Sequence, residues 1–255
     1  MTYRVLALFL TAVLFSGVAR AEEAWRLQVT PYLWGPGLEG NIDPGSSLPK
    51  IEINRSLNDI LNDLEAAFFL TGTARRGRFV ALADFTWAKL SENNNIGIPA
   101  TTFTPPFNLS LGLEVELFES TAALGYTIVD RQDIAVDLLA GVRIWGVDTS
   151  VRVKQAIPYL PSKFSDDETW VDPVLVARSR IRLAGDWSAI LYADVGGSAA
   201  GSDLTWQGIA TVNYQMTEAF FLSLGYRYLA LDYSHDSVKL DLQLGGPLAG
   251  LTYRF

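Results

Sequence analysis

The sequence predicts an all-β fold: a closed antiparallel transmembrane β-barrel of about ten strands, with eight or twelve as the alternatives. Three observations lead there. Apolar and polar residues alternate with period two along most of the chain, which marks strands and not helices. The connections between alternating segments are short, then long, then short. The chain also opens on a leader of export type, and one face of most segments carries almost no charge.

The elements follow in order. In "MTYRVLALFLTAVLFSGVARAEEAW", Arg4 precedes a fourteen-residue apolar run, Val5–Val18, too short to span a bilayer as a helix. Ala19-Arg20-Ala21 then forms an A-x-A cleavage site, so residues 1–21 read as a cleaved signal peptide and 22–255 as one barrel domain. Ten alternating segments follow: 25–41, 64–75, 78–90, 109–129, 133–153, 170–183, 187–196, 204–216, 219–233 and 238–255. Connections at 75–77, 129–133, 184–186 and 215–219 are short, and those at 42–63, 91–108, 154–169 and 197–203 are longer. Short turns at one end and long loops at the other, with an even strand number, belong to outer-membrane barrels. Stretches 48–55 and 151–156 are the places where strands would be added or extended. "SLNDILNDL" (56–64) is the one helical pattern, with Ser56 and Asp59 as a capping pair. Near Gly245-Gly246-Pro247 and Leu117-Phe118 the apolar phase shifts, which predicts β-bulges that flip the register.

Alternation alone fits a soluble barrel equally well, so the faces must decide. In 219–233 one face reads Phe220, Leu222, Leu224, Tyr226, Tyr228. In 170–183 the faces read Val171, Pro173, Leu175, Ala177 against Asp172, Val174, Val176, Arg178, Arg180, Arg182. A solvated outer face would be rich in Lys and Glu. Aromatics gather at segment ends: Trp25, Phe79, Tyr126, Trp187, Tyr214 and Phe255 by the short turns, and Trp87, Trp170 and Trp206 by the long loops. Such girdles mark two membrane interfaces. The final Leu251, Tyr253 and Phe255 share the outward face, while Thr252 and Arg254 point inward, so the last strand closes the barrel against the one beginning near Trp25. The absence of Cys excludes disulfides and thiolate metal sites. The formal charge of −8 argues against a nucleic-acid partner.

The inward faces collect a charge network: Arg26, Glu65, Arg75, Asp84, Glu114, Glu116, Glu119, Asp137, Arg143, Asp172, Arg178, Arg180, Arg182, Asp194 and Arg227. It reads either as an ion-selective pore with an arginine ladder or as a salt-bridged plug. Ten strands are only slightly wider than the eight whose bore side chains fill, which favours the plug. The lone histidine, His235 in "YSHDS", opens a further reading, a hydrolase at the outer rim. Ten-stranded omptin proteases pair Asp-Asp with Asp-His, and Asp166-Asp167 would have to oppose His235-Asp236 here. The spacings do not match, and neighbours in sequence do not make a triad. No H-E-x-x-H, P-loop or G-x-S-x-G is present, so no catalytic residue, metal site or cofactor is expected. "ENNN" (92–95) and "SDDE" (165–168) read as polar loop tips.

Taken together, "TPYLWGPGLEGNI", "EAAFFLTGTARRGRFVALADFTWAKLS", "WVDPVLVARSRIRLAGDW", "LGYRYLALDY" and "GPLAGLTYRF" resemble an uncharacterised family of Gram-negative outer-membrane β-barrel proteins. The resemblance spans nearly the whole chain after the leader. It implies an outer-membrane location, lipid and lipopolysaccharide as surroundings, and a terminal Leu251, Tyr253, Phe255 signal read by the barrel-assembly machinery. It carries no catalytic residue. The function expected is a narrow or plugged small-solute channel or a structural envelope barrel. The alternatives are a surface-binding protein using the loops at 42–63, 91–108 and 154–169, and a rim hydrolase using His235.

Overall fold

The computed structural model describes residues 24–43, 51–98, 107–153, 163–197, 201–235 and 238–255. The predicted leader lies outside them. The alternating segments form strands β1 (Arg26–Trp34), β2 (Gly37–Asp43), β3 (Ile51–Arg55), β4 (Leu64–Arg76), β5 (Phe79–Ile98), β6 (Phe107–Asp130), β7 (Ile134–Val153), β8 (Lys163–Arg182), β9 (Trp187–Gly196), β10 (Leu204–Gln215), β11 (Phe220–His235) and β12 (Val238–Arg254), with helix α1 (Leu57–Asp63) between β3 and β4.

Every pairing is antiparallel, in the order β1-β4-β5-β6-β7-β8-β9-β10-β11-β12, and β12 pairs back onto β1. That ring is a closed ten-stranded barrel. β2 continues the line of β1 beyond Gly35-Pro36, keeps the same register on β12, and pairs with β3 on its other side. Closure leaves no free edge in the ring, which a bilayer demands because lipid cannot hydrogen-bond an exposed strand. The seam is tight: the Phe255 amide donates to the Leu27 carbonyl at 3.0 Å, and Gln28 faces Arg254.

The strands run further than expected. β5 to β8 hold 20, 24, 20 and 20 residues, about twice the ~9–11 a tilted membrane strand needs. Residues 91–98 and 163–169, read as loop from their polarity, are paired strand, and so are the "ENNN" and "SDDE" stretches. The paired backbone of β5 to β8 therefore continues beyond the apolar band.

The expected bulges are absent. The pairing of β11 with β12 holds one register from Phe220–Tyr253 to His235–Val238, and that of β5 with β6 holds from Phe79 to Ile98. Irregularities fall instead at Leu64/Ala66 and Thr127/Val129. The apolar phase shifts because the environment inverts while the backbone keeps its phase. Leu251 and Tyr253 face outward in the band, whereas Leu240, Leu242, Leu244 and Leu248 face inward and pack in the bore. Their outward neighbours there are Asp241 and Gln243, both exposed. The lower wall is therefore apolar outside and polar inside, and the upper wall is the reverse.

A band of exposed apolar side chains girdles the lower wall, among them Leu124, Leu138, Leu175, Leu191 and Leu224. At the short-turn end it is edged by touching rings, Phe79–Tyr126, Trp187–Tyr214 and Phe220–Tyr253, with centroids 5.3, 4.9 and 5.0 Å apart. The opposite edge carries Phe68, Phe85, Phe118 and the Trp206–Tyr228 pair. Trp170, expected in this girdle, instead points into the bore, 6% exposed, stacked on Trp145 and tilted against Tyr233. Its even-numbered place on β8 aligns it with Asp172 and Arg178, inside.

Candidate functional site: the barrel lumen

Inward positions on successive strands stack side chains into three tiers. The uppermost is apolar. Trp34, Phe69, Trp145, Trp170, Leu229, Leu231, Tyr233 and Leu248 form one buried cluster, with Leu117, Val147, Leu240, Leu242 and Leu244 against it. Residues 201–203, between β9 and β10, fold back onto it. The Ser202 hydroxyl donates to Asp172 Oδ2 at 2.6 Å and accepts from Trp170 Nε1 at 2.8 Å, the Ser202 amide donates to Asp172 Oδ1 at 2.8 Å, and Trp145 Nε1 donates to Asp172 Oδ2 at 3.1 Å. Asp172 and Ser202 are fully buried. A buried carboxylate is tolerated where donors surround it, as here.

Below this lies a charged tier that spans the bore. Arg227 Nη2 donates to Glu119 Oε2 at 3.0 Å, and Nη1 reaches the Tyr32 hydroxyl at 2.6 Å and Asp84 Oδ1 at 3.3 Å. Arg143 Nε donates to Glu119 Oε1 at 3.2 Å and to the Thr121 hydroxyl at 2.9 Å, and Nη2 donates to Asp194 Oδ2 at 2.6 Å. Asp194 also accepts from Tyr192 and Gln207, each at 2.6 Å. Trp34 covers the guanidinium of Arg227 from the apolar tier, 4.6 Å from its ring centre. Arg227, Arg143 and Glu119 are fully enclosed. Two cations and three carboxylates thus sit crosswise at one level, contributed by β5, β6, β7, β9 and β11. Beside them Val80, Leu82, Ala123, Leu139, Val174, Val176 and Tyr192 fill the β5–β9 side of the bore.

The third tier opens at the short-turn end. It is a cavity of about 680 Å³ lined by polar side chains, including Gln28, Thr30, Thr71, Thr73, Thr211, Asn213 and Thr252, and bordered at its mouth by the turns at 130–133 and 185–187. Arg75 donates two bonds to Asp137, at 3.1 and 2.6 Å, and a third to the Thr127 hydroxyl. Arg178 approaches Asp137 at 3.7 Å. Arg26, Arg180 and Arg182 line the same space.

Of the sequence-assigned network, Arg26, Arg75, Asp84, Glu119, Asp137, Arg143, Asp172, Arg178, Arg180, Arg182, Asp194 and Arg227 lie in these tiers. Glu65, Glu114 and Glu116 do not. Glu114 and Glu116 occupy the face of β6 opposite Glu119 and Thr121. Glu114 and Glu65 both bind the Lys89 ammonium, at 2.9 and 2.8 Å, and Glu116 accepts from Trp87 Nε1 at 2.7 Å. Strand parity decides this for Glu114 and Glu116, since their partners Lys89 and Trp87 are odd on β5, whose inward residues are Val80, Leu82, Asp84 and Thr86; Glu65 instead falls at the register shift between Leu64 and Ala66, which breaks the parity of β4. The Lys89 ammonium holds the Glu65 carboxyl below its ordinary range.

Uncharged members of the tiers, Tyr32, Thr86, Thr121, Thr127, Tyr192, Ser202, Thr205 and Gln207, went unassigned in sequence, although most share the parity of the charged ones. Asp166 and Asp167 pair with Thr149 and Asp148 in the upper β7–β8 wall, and the backbone of His235 ends β11. The His235 side chain lies outside the described residues. Among the described residues no cluster of His, Cys, Asp and Glu suits a metal ion.

No family model matches the sequence, and no match was found among curated proteins. Solved structures resemble it in fold. The outer-membrane protease OmpT of Escherichia coli aligns over 94% of this chain and 99% of its own at 9% identity, with a TM-score of 0.59. The translocator domain of the autotransporter NalP from Neisseria meningitidis covers 91% of this chain and 88% of its own at 11% identity and TM-score 0.46. Ail, the attachment invasion locus protein of Yersinia pestis, covers 91% and 99% at 11% identity and TM-score 0.35.

Proposed function

We propose that this chain is an integral outer-membrane β-barrel of the envelope whose lumen is plugged against through-flow. The carrying observation is the stacking of the Arg143–Glu119–Arg227–Asp84 tier beneath the Trp34–Trp145–Trp170 tier, which fills the bore above the cavity with buried side chains. Breaking such a tier is costly, since each ion removed strands its buried partner. The exposed apolar band, the two aromatic edges and the fold shared with OmpT support the membrane placement. In this reading the partners are outer-membrane lipid and lipopolysaccharide. Leu251, Tyr253 and Phe255, outward on the closing strand, present the signal to the barrel-assembly machinery.

Single-channel recording of the refolded protein in planar bilayers tests the plug. The expected trace shows no large steps; steady porin-like steps overturn the reading. A non-enzymatic barrel further expects no peptide or lipid hydrolysis by the refolded protein. An activity lost in His235→Ala would assign a rim hydrolase instead.

A further inference from the structure

The short-turn cavity carries charge of the opposite sign to the chain as a whole. Eight arginines and four aspartates line it, with no lysine or glutamate, in a protein of formal charge −8. One of those aspartates, Asp84, is already held by Arg227. The other three, Asp130, Asp133 and Asp186, sit on the turns at the mouth. Deeper in, Arg75 and Arg178 share the single carboxylate of Asp137, and Arg75 holds both of its oxygens. Arg26, Arg180 and Arg182 make no side-chain hydrogen bond or ion pair with any described residue. The Arg180 Nε is buried and unpartnered. An unpaired buried donor on a cation is expensive, and a bound anion would satisfy it.

We propose that this cavity is a binding site for a small multivalent oxyanion, a solute bearing two or more phosphate or carboxylate groups that enters from the periplasmic side. The ligand is held by Arg178, Arg180 and Arg182, with Arg26 on the far wall. Alternate residues of one strand lie about 7 Å apart, so the β8 ladder offers guanidinium forks at three depths. A single-charge anion satisfies one rung, whereas a multivalent one bridges two. β1 stands five places from β8 around the ten-strand ring, so Arg26 meets the ligand from the opposite side. Guanidinium forks bind phosphate and carboxylate in bidentate fashion, and a low-dielectric wall strengthens the pairing. Thr211, Asn213 and Gln28 add neutral hydrogen-bonding groups. The polar lining and the volume suit a solute of drug-like size or smaller.

The test is titration calorimetry of the refolded protein in non-ionic detergent at low salt, with tripolyphosphate, citrate and inorganic phosphate as separate probes. Tripolyphosphate or citrate is expected to bind with one-to-one stoichiometry, and inorganic phosphate at least about tenfold more weakly, the difference of one charge-assisted contact. The winning probe identifies phosphate or carboxylate as the ligand chemistry. Arg180→Gln is expected to weaken binding about tenfold or more, and the triple Arg178→Gln, Arg180→Gln, Arg182→Gln variant to abolish it. Lys239→Gln, on the exposed upper wall, is expected to bind as the parent does. Heat-modifiable gel migration reports that each variant has formed its barrel; should the triple variant not fold, Arg180→Gln alone decides. Absence of binding by both multivalent probes overturns the proposal, as does wild-type affinity in Arg180→Gln or an equal loss in Lys239→Gln. Calorimetry needs no membrane potential, so its outcome is separate from the conductance result that tests the plug.

Discussion

Arg227 concentrates the chemistry of the bore on one side chain. Its guanidinium contacts Glu119, Asp84, Tyr32 and Thr86 and lies over Trp34, with no exposed surface. Replacing it by Met leaves Glu119 and Asp84 buried with less compensation. The expected loss is about 3–5 kcal/mol, read by denaturant unfolding in lipid vesicles. Adding Glu119→Gln to Arg227→Met should cost less than the two single losses combined, because the second change removes a charge the first has stranded. Such residues were legible in the sequence where parity was unbroken: Asp137, Arg143 and Asp194 fall inward simply by alternation along β7 and β9. Glu114 and Glu116 were misplaced because an acid on the upper wall looks, in sequence, like an acid in the lumen. Trp170 was misplaced for the converse reason, since a tryptophan near a loop looks like an interface anchor. Only the depth of a residue along its strand separates these cases, and that depth depends on where the apolar band begins.

At the scale of elements, α1 is the clearest local signal that survived intact. Ser56 Oγ accepts from the Asp59 amide and the Asp59 carboxylate accepts from the Ser56 amide at 2.9 Å, the reciprocal box expected from the spacing. Those bonds hold the Asp59 carboxyl below the ordinary carboxylate range. A depressed folded value means that the contribution is fully present above pH about 4 and is lost as pH falls through the lower folded value. Amide shifts of residues 57–63 followed by NMR in micelles should therefore hold steady from neutral pH to about 4 and move below it. Ser56→Ala should loosen α1 by about 1 kcal/mol without lowering the unfolding midpoint of the barrel. The strand extensions were not legible, because polar stretches such as "ENNN" satisfy a loop reading as well as a strand reading. Close strand approach is another feature that pattern alone does not show. A side chain at Gly141 would bring Cβ within 2.0 Å of the Ala122 carbonyl on β6. Gly141→Ala should then cost about 1–3 kcal/mol through forced displacement of the neighbouring strand, measured by the same unfolding assay.

The whole molecule follows from closure together with two reversed surfaces. The ring of ten strands was predictable because each turn and each face pointed to it independently, and the β1–β12 seam was predictable from the apolar last residues. What no single segment revealed is that the barrel is longer than its apolar band, with an apolar core in its upper bore and a polar pocket in its lower one. Charge placed on the band should discriminate the two halves. Leu191→Arg, on the exposed apolar band of β9, is expected to cost about 2–4 kcal/mol if it sits at mid-bilayer depth. Gln243→Arg on the upper wall should change stability by less than about 0.5 kcal/mol, the usual bound for an exposed surface change. Both are read by unfolding from vesicles of defined composition.

The unbroken register through Gly245-Gly246-Pro247 has one more consequence. Because the wall exchanges its greasy and wettable faces along a continuous strand, the barrel carries its own waterline. Sliding outward would lift the Trp206–Tyr228 edge into water, and sliding inward would drag Asp241 and Gln243 into lipid. Vertical position is thus written into the strand itself, and the rim can be rebuilt or grafted without unmooring the hull.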